Sequence, residues 1–157
     1  MTKHRMADCD VIILCGGLGT RLKSVLSDRP KPMADIHGRP FLSILLDHWF
    51  RHGARRFIFC TGYMGDYIEA WVRSASDSYE ATFVRDPYPL GTGGAMAQAF
   101  RVARSERLFV VNGDSFCDVD PARLLRFHLM KRAKGTLVLA RPDGRTDAGD
   151  VVVGHDD

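Results

Sequence analysis

Apolar positions along the chain fall into short blocks whose spacing alternates between that of a strand and that of a helix. Val11–Leu14 is a β-branched apolar run that predicts a buried strand. Phe41, Leu42, Leu45, Leu46 and Trp49 recur at helical spacing, which predicts a helix over Phe41–Arg51 with Gly53 as its stop. Phe57–Cys60 (FIFC) reads as the next strand, and Tyr67, Ile68, Trp71 and Val72 mark a helix over Asp66–Arg73. Ala81–Val84 then reads as a strand, Gly94–Ala103 as an alanine-rich helix and Leu108–Val111 as a strand. Asp120-Pro121 opens a further helix with a capping side chain and a proline in the first position. Thr136–Ala140 (TLVLA) reads as a fifth strand and Val151–Val153 as a sixth.

This alternation predicts right-handed crossovers between parallel strands. The implied fold class is α/β, a Rossmann-like three-layer α/β/α arrangement with a mostly parallel mixed sheet. Ligands of such sheets lie beyond the carboxyl ends of the strands. Candidate chemistry is therefore sought in the residues that follow each strand.

After the first strand stand Leu14, Cys15, Gly16, Gly17, Leu18, Gly19, Thr20 and Arg21. The GxxxxGK[ST] pattern of a Walker loop is absent. A dinucleotide fingerprint would use Gly17 and Gly19, but Leu22 takes the third glycine position, and Thr61-Gly62 stands where an acidic residue should close the second strand. A triphosphate loop fits better: glycine N–H groups wrap anionic oxygens and the Arg21 guanidinium adds a charged fork. A plain glycine turn is the simpler alternative. Pro30 and Pro32 hold their segment extended, so Lys31 is a cation on a stiff strap that can reach the glycine loop, against the plainer reading of a solvated surface lysine. After the third strand, Gly91, Thr92, Gly93 and Gly94 open a helix whose free N–H groups face the cleft, unless these glycines serve only tight helix–sheet packing. After the fourth come Asn112, Gly113 and Asp114. Asn-Gly signals a hairpin, yet no paired strand follows, which leaves Asp114 at a strand end as a candidate Mg²⁺ ligand or a turn-forming aspartate.

Composition narrows the partners. The 157 residues suit one domain, and a net charge of +3, from 22 Lys+Arg against 19 Asp+Glu, gives no argument for nucleic acid or membrane. The basic cluster Arg51–Arg56 falls at a predicted helix end, where cations complement the dipole, so a solvated helix end is expected rather than an anion patch. Cys9, Cys15, Cys60 and Cys117 form no CxxC pair, which predicts reduced thiols and a cytoplasmic protein. The polar N-terminus and the short apolar run after it predict no secretion signal. His48 and His52 are four apart but lack the glutamate of HExxH, and Ser115 has no GxSxG around it, so neither zinc nor a serine triad is expected.

Together the segments resemble the sugar-1-phosphate nucleotidylyltransferase family. Its GGxGTRL signature and following Lys-Pro are matched by Gly16–Leu22 and Lys31-Pro32, its LGTGGA loop by Leu90–Ala95 and its NGD by Asn112–Asp114. GRPFL at Gly38–Leu42 and TGYMGDYIE at Thr61–Glu69 match as well. The wording is most similar to that of the D-glycero-D-manno-heptose 1-phosphate guanylyltransferases. The resemblance implies a nucleotide-diphospho-sugar transferase fold, Mg²⁺ as cofactor and two small-molecule partners: an NTP, expected to be GTP, and a sugar 1-phosphate, expected to be a heptose 1-phosphate. The products are an NDP-sugar and pyrophosphate. No nucleic acid or membrane partner is implied, and a homo-oligomer stays open. The attacking phosphate is largely anionic at neutral pH, so the reaction needs positioning and charge neutralisation rather than a general base. By the match, Arg21 holds the triphosphate, Lys31 bridges the α-phosphate and the incoming sugar phosphate, and Asp114 binds Mg²⁺. Leu14, Cys15, Gly16, Gly17, Gly19, Thr20, Gly91, Thr92, Gly93, Gly94, Asn112 and Gly113 line the nucleotide.

The family continues with a glutamate–lysine segment that grips the sugar phosphate and with a second metal-binding aspartate. Neither is recognisable after Ala140, where Asp143, Asp147 and Asp150 lie in a polar stretch. The expectation is one nucleotidyltransferase domain over residues 1–157 that lacks the usual C-terminal sugar-side portion. A noncatalytic nucleotide-binding or regulatory member, or an inactive fragment, stands as the alternative to an enzyme. An unrelated NAD(P) protein is disfavoured by the absent third glycine and acidic residue.

Overall fold

The computed structural model describes residues 5–17, 28–75, 78–86, 88–140 and 151. Its elements are β1 (Asp10–Leu14), β2 (Asp35–Ile36), β3 (Arg39–Pro40), α1 (Phe41–Arg51), β4 (Arg56–Thr61), α2 (Gly65–Ala75), β5 (Glu80–Arg85), α3 (Gly91–Val102), β6 (Leu108–Asn112) and α4 (Pro121–Met130). The main sheet is parallel, in the order β5-β4-β1-β6, and β2 pairs with β3 in a small antiparallel hairpin. Leu14 lies opposite both Cys60 and Asn112, so three strands end level with one another.

Both faces of this sheet are covered, which explains why β1 is a continuous apolar run and not an alternating one. Val11, Ile13, Phe57 and Phe59 pack with Leu42, Leu45, Leu46 and Trp49 of α1, Ile68 and Val72 of α2 and Leu125 of α4. On the other face Ile12, Ile58 and Cys60 meet Ala95 and Ala99 of α3, whose small side chains let that helix lie close. The chain steps from β1 to β4 to β5 beneath α1 and α2. It then returns over α3 to β6 on the far side of β1. The direction of winding thus reverses between β1 and β6, and the crevice at such a switch point is where open α/β sheets bind ligands.

The end of α1 forms as its sequence requires. Gly53 sits at φ +98° just past the helix, where a side chain would be strained. Arg55 donates to the carbonyls of Phe50 at 2.9 Å and Ala54 at 2.8 Å, so it satisfies acceptors at the helix end. Asp120 caps α4 by accepting from the N–H groups of Ala122 and Arg123 at 2.9 and 3.0 Å. All four cysteines are free. No helix among the described residues is long and apolar enough to cross a membrane.

Two expectations are corrected. The third helix starts at Gly91 rather than Gly94, so the glycine loop is itself the first turn. Thr136–Ala140 is not a strand. An apolar run becomes a strand only where a ladder partner is available, and it is stabilised there by cover on at least one face. Here Leu137, Val138 and Leu139 are 74%, 47% and 52% exposed. Val151 lies outside any strand, and the rest of the expected sixth strand, with Asp143, Asp147 and Asp150, lies outside the described residues.

Candidate active site

The four parallel strands run out into Cys15–Gly17, Gly62, Asp86 and Gly113-Asp114, side by side. Backbone hydrogen bonds carry the ladder one step beyond the strands. Cys15 N–H donates to Cys60 O at 2.8 Å, Gly113 N–H to Leu14 O at 2.9 Å and Asp86 N–H to Thr61 O at 2.9 Å. This stitching forces the loops together, and two glycines allow it. A Cβ on Gly62 would lie 2.9 Å from Gly16 O, and one on Gly113 would lie 2.7 Å from Cys15 Sγ and 3.0 Å from Leu14 O. Gly17, Gly91 and Gly93 differ, because each has open space where a Cβ would stand. Packing therefore does not require those three, and a close-packing role for Gly91 and Gly93 is not what the structure shows. They leave bare backbone at the cleft.

Lys31 begins a short 3₁₀ turn, Lys31–Met33, entered from extended Pro30. Met33, only 3% exposed, is packed into the core beside Leu42 and Leu45 and anchors the strap. The anchored strap brings Lys31 Nζ to 3.3 Å from Asp114 Oδ2, although 83 residues separate the two. Lys31 thus has a carboxylate partner within its turn's reach, and Asp114 stands in the turn that follows β6. Ser115 Oγ donates to the other Asp114 oxygen at 3.2 Å. Leu90 gives α3 no side-chain cap, so the first-turn N–H groups of Gly91, Thr92, Gly93 and Gly94 have no capping partner. Ala95 O, in that first turn, accepts from Cys60 Sγ at 3.6 Å, which holds the turn against the end of β4.

Leu14, Cys15, Gly16, Gly17, Asn112, Gly113, Asp114 and Lys31 therefore converge at the β1–β6 switch point, and the first part of α3 lies against β1 and β4. Gly19, Thr20 and Arg21 lie outside the described residues. The two histidines have other duties: His48 Nε2 bonds Val119 O at 3.0 Å and His52 Nδ1 bonds His48 O at 2.8 Å. Among the described residues no group of three or more His, Cys, Asp and Glu side chains is arranged to hold a metal ion. Asp114 is a single, partly exposed carboxylate. It fits Mg²⁺ in the manner of sites where one protein carboxylate, substrate phosphates and water share the ion.

Sequence reasoning missed Asp86. It directly follows β5, and its carboxylate approaches Gly16 beyond the end of β4. Its Oδ2 is 3.5 Å from the position of a Gly16 Cβ. Its Oδ1 is buried without a hydrogen-bond partner. Burial pushes the Asp86 carboxyl above its ordinary range, and burial first, then Asp86, pushes the Cys60 thiol up to about 12. An unsatisfied carboxylate at a strand end is a group waiting for donors. The available signal was an Asp directly before the glycine loop, which reads as a turn until the strand order is known.

A glycine-floored crevice with a carboxylate toward β5 and a lysine–carboxylate pair at β6 defines an α/β protein with a polar cleft at the carboxyl ends of its parallel strands. The profile of the nucleotidyl transferase family matches residues 10–154, and the chain belongs to that family. It is 38% identical over 130 residues to the D-glycero-alpha-D-manno-heptose 1-phosphate guanylyltransferase of Aneurinibacillus thermoaerophilus, a match covering 83% of this chain and 56% of that protein. It is 37% identical over 142 residues to the mannose-1-phosphate guanylyltransferase of Mycobacterium tuberculosis, covering 90% of this chain and 39% of that one. HddC from Yersinia pseudotuberculosis, solved alone and complexed with GMP-PN, superposes with a TM-score of 0.69 at 40% identity, over 76% of this chain and 54% of HddC. The chain spans about half the length of the curated heptose 1-phosphate guanylyltransferases it matches.

Proposed function

We propose that this chain carries the nucleotide half of a sugar-1-phosphate guanylyltransferase reaction. A phosphate oxygen of the sugar 1-phosphate attacks the α-phosphorus of GTP, and the bond to the β-phosphate oxygen breaks. GDP-sugar forms and pyrophosphate leaves. The observation that carries the reading is the Lys31–Asp114 pair, brought to 3.3 Å at the switch point beside bare glycine backbone. Lys31 is the cation for the α-phosphate and the incoming phosphate, two anions that must approach each other. Asp114 holds Mg²⁺, which when bound offsets charge on the phosphate oxygens. Arg21, by its place in the glycine loop, clamps the departing pyrophosphate.

Asp86 supports guanine as the base. Guanine places a ring N–H next to an exocyclic amine, and one carboxylate can accept from both. Three strand spacings, roughly 14 Å, separate β5 from β6, a length of nucleotide that sets the base at Asp86 and the phosphates at Lys31. The named relatives make heptose 1-phosphate and mannose 1-phosphate the first acceptors to try. The test is pyrophosphate release with Mg²⁺, GTP and each acceptor in turn. Release with GTP but not ATP is expected. GTP binding without release from either sugar phosphate would turn the reading into that of a nucleotide-binding member of the family.

A further inference from the structure

The loop from Gly113 to Asp120 carries Asp114, and its residues 114–118 are all exposed. Its two ends are fixed differently. At the start, Gly113 N–H donates to Leu14 O. At the far end, His48 reaches across from α1, 71 residues away in sequence, and meets Val119 O at 3.0 Å. A carbonyl only accepts, so Nε2 carries the proton and donates. The same ring stands edge-on to Phe116, with centroids 5.1 Å apart. His48 therefore grips the loop at two points, on the C-terminal side of Asp114. The helix that carries it also seats the Lys31 strap, because Phe41 N–H donates to Ala34 O at 2.9 Å and Met33 packs beside Leu42. One rigid helix thus holds both charged partners of the site, Lys31 through the strap and Asp114 through His48.

We propose that His48 is a positioning residue for the transfer reaction: it fixes the loop that presents the Asp114 carboxylate. The inference rests on the role given to Asp114 above. A side chain that orients a metal-binding carboxylate acts on metal affinity and leaves metal-free nucleotide binding alone.

The probe is Mn²⁺, titrated by water-proton relaxation into the full chain with a non-hydrolysable GTP analogue bound. In His48→Leu the apparent Mn²⁺ affinity should fall about tenfold, as for other residues that orient metal ligands, with analogue affinity in metal-free buffer within about twofold of the parent. His48→Gln, whose amide N–H stands in for Nε2–H, should recover to within about threefold. A merely structural histidine would lower stability and leave Mn²⁺ affinity per folded molecule unchanged. His48→Leu with the parent's Mn²⁺ affinity, alongside an Asp114→Asn variant that has lost it, overturns the proposal. An Asp114→Asn variant with unchanged Mn²⁺ affinity instead removes the reading of Asp114, and the proposal falls with it. Should His48→Leu not fold, the ring ¹⁵N shifts of His48 in the parent decide. An Nε2-protonated ring that responds to Mg²⁺ in the analogue complex is expected. An Nδ1-protonated or unresponsive ring overturns the proposal.

Discussion

Gly113→Ala puts one methyl group into the tightest point of the crevice floor. Its Cβ would stand 2.7 Å from Cys15 Sγ and 3.0 Å from Leu14 O, with Ile13 Cγ2 at 3.4 Å. None of these can retreat cheaply. Cys15 is 2% exposed, and Leu14 O is the acceptor of the Gly113 N–H itself. Relief requires β6 to part from β1 by several tenths of an ångström, at the bond that aims Asp114. Overpacking of this kind costs about 1–3 kcal/mol. The loss of chain entropy in the unfolded state returns about 0.4–1 kcal/mol. A net destabilisation of about 1–2 kcal/mol corresponds to a fall in Tm of about 3–6 °C for a chain of this size. Gly93→Ala, in the first turn of α3 with open space around it, should move Tm the other way, because alanine narrows the unfolded ensemble. Thermal and urea melts of both variants measure the contrast. The sharper test is the pair with Cys15→Ala, which removes the clashing sulfur. The two substitutions should be less than additive in their cost. A Gly113→Ala protein as stable as the parent, or strict additivity with Cys15→Ala, would refute the packing argument.

Three further outcomes are expected. Asp86→Asn should raise stability by about 1 kcal/mol, because an unsatisfied buried carboxylate is removed, and should weaken GTP binding. Burial raises the Asp86 pKa in the folded state, so its cost is present once pH exceeds that folded value; melts should show the gain near pH 8 and none near pH 3.5. Asp10→Ala should cost about 3 kcal/mol, because it removes the only carboxylate on the Arg56 guanidinium among the described residues and leaves the N–H groups of Arg104 and Ser105 without their acceptor. Burial alone would raise the Asp10 pKa, but those N–H groups and Arg56 outweigh it and hold it low. Its stabilisation is therefore full above the ordinary aspartate range and is lost as pH falls through the folded value, so acid unfolding should separate parent from variant. Lys31→Met should cut pyrophosphate release by about 10²–10³-fold, while Tm, read on the same samples, moves by no more than about 2–4 °C, since a partly exposed ion pair contributes at most about 1 kcal/mol. Equal rates for parent and variant would take Lys31 out of the reaction.

Periodicity made much of the scaffold legible. Phe41–Arg51 stands as read, because five apolar residues at helical spacing and a glycine past the end agree with one another. β1 was legible as an uninterrupted apolar run, the pattern expected of a strand covered on both faces. TLVLA misled for the same reason: composition says what a segment could pair with and not whether a partner is there. The motifs marked the crevice but not its geometry. Two prolines gave Lys31 reach; only the burial of Met33 decides that the reach ends at Asp114. Asp86 and Gly62 were illegible because their meaning depends on strand order. The first matters because β4 lies between β5 and β1, the second because an absent side chain lets one loop touch the next.

The two ends of the sheet show why the ligand belongs where it does, independently of any motif. At the amino end, Asp10 accepts from Arg56, Arg104 and Ser105 through its side chain, and its own N–H donates to Ser105 Oγ at 2.8 Å. Arg56 goes on to satisfy the carbonyls of Ala7 and Asp8. Among the described residues, no buried side-chain polar atom at that end lacks a partner. At the carboxyl end, a buried carboxylate oxygen has no partner, a helix opens without a side-chain cap, and three glycines expose backbone that no packing demands. The charges that do meet, Lys31 and Asp114, are 28% and 40% exposed and so only weakly committed to each other. A fold tolerates such unmet polarity at a cost in stability, and it persists where something outside the chain completes it. On the proposed function, a guanine nucleotide and its divalent ion would together bring donors to Asp86, anions to Lys31 and the first turn of α3, and a cation to Asp114.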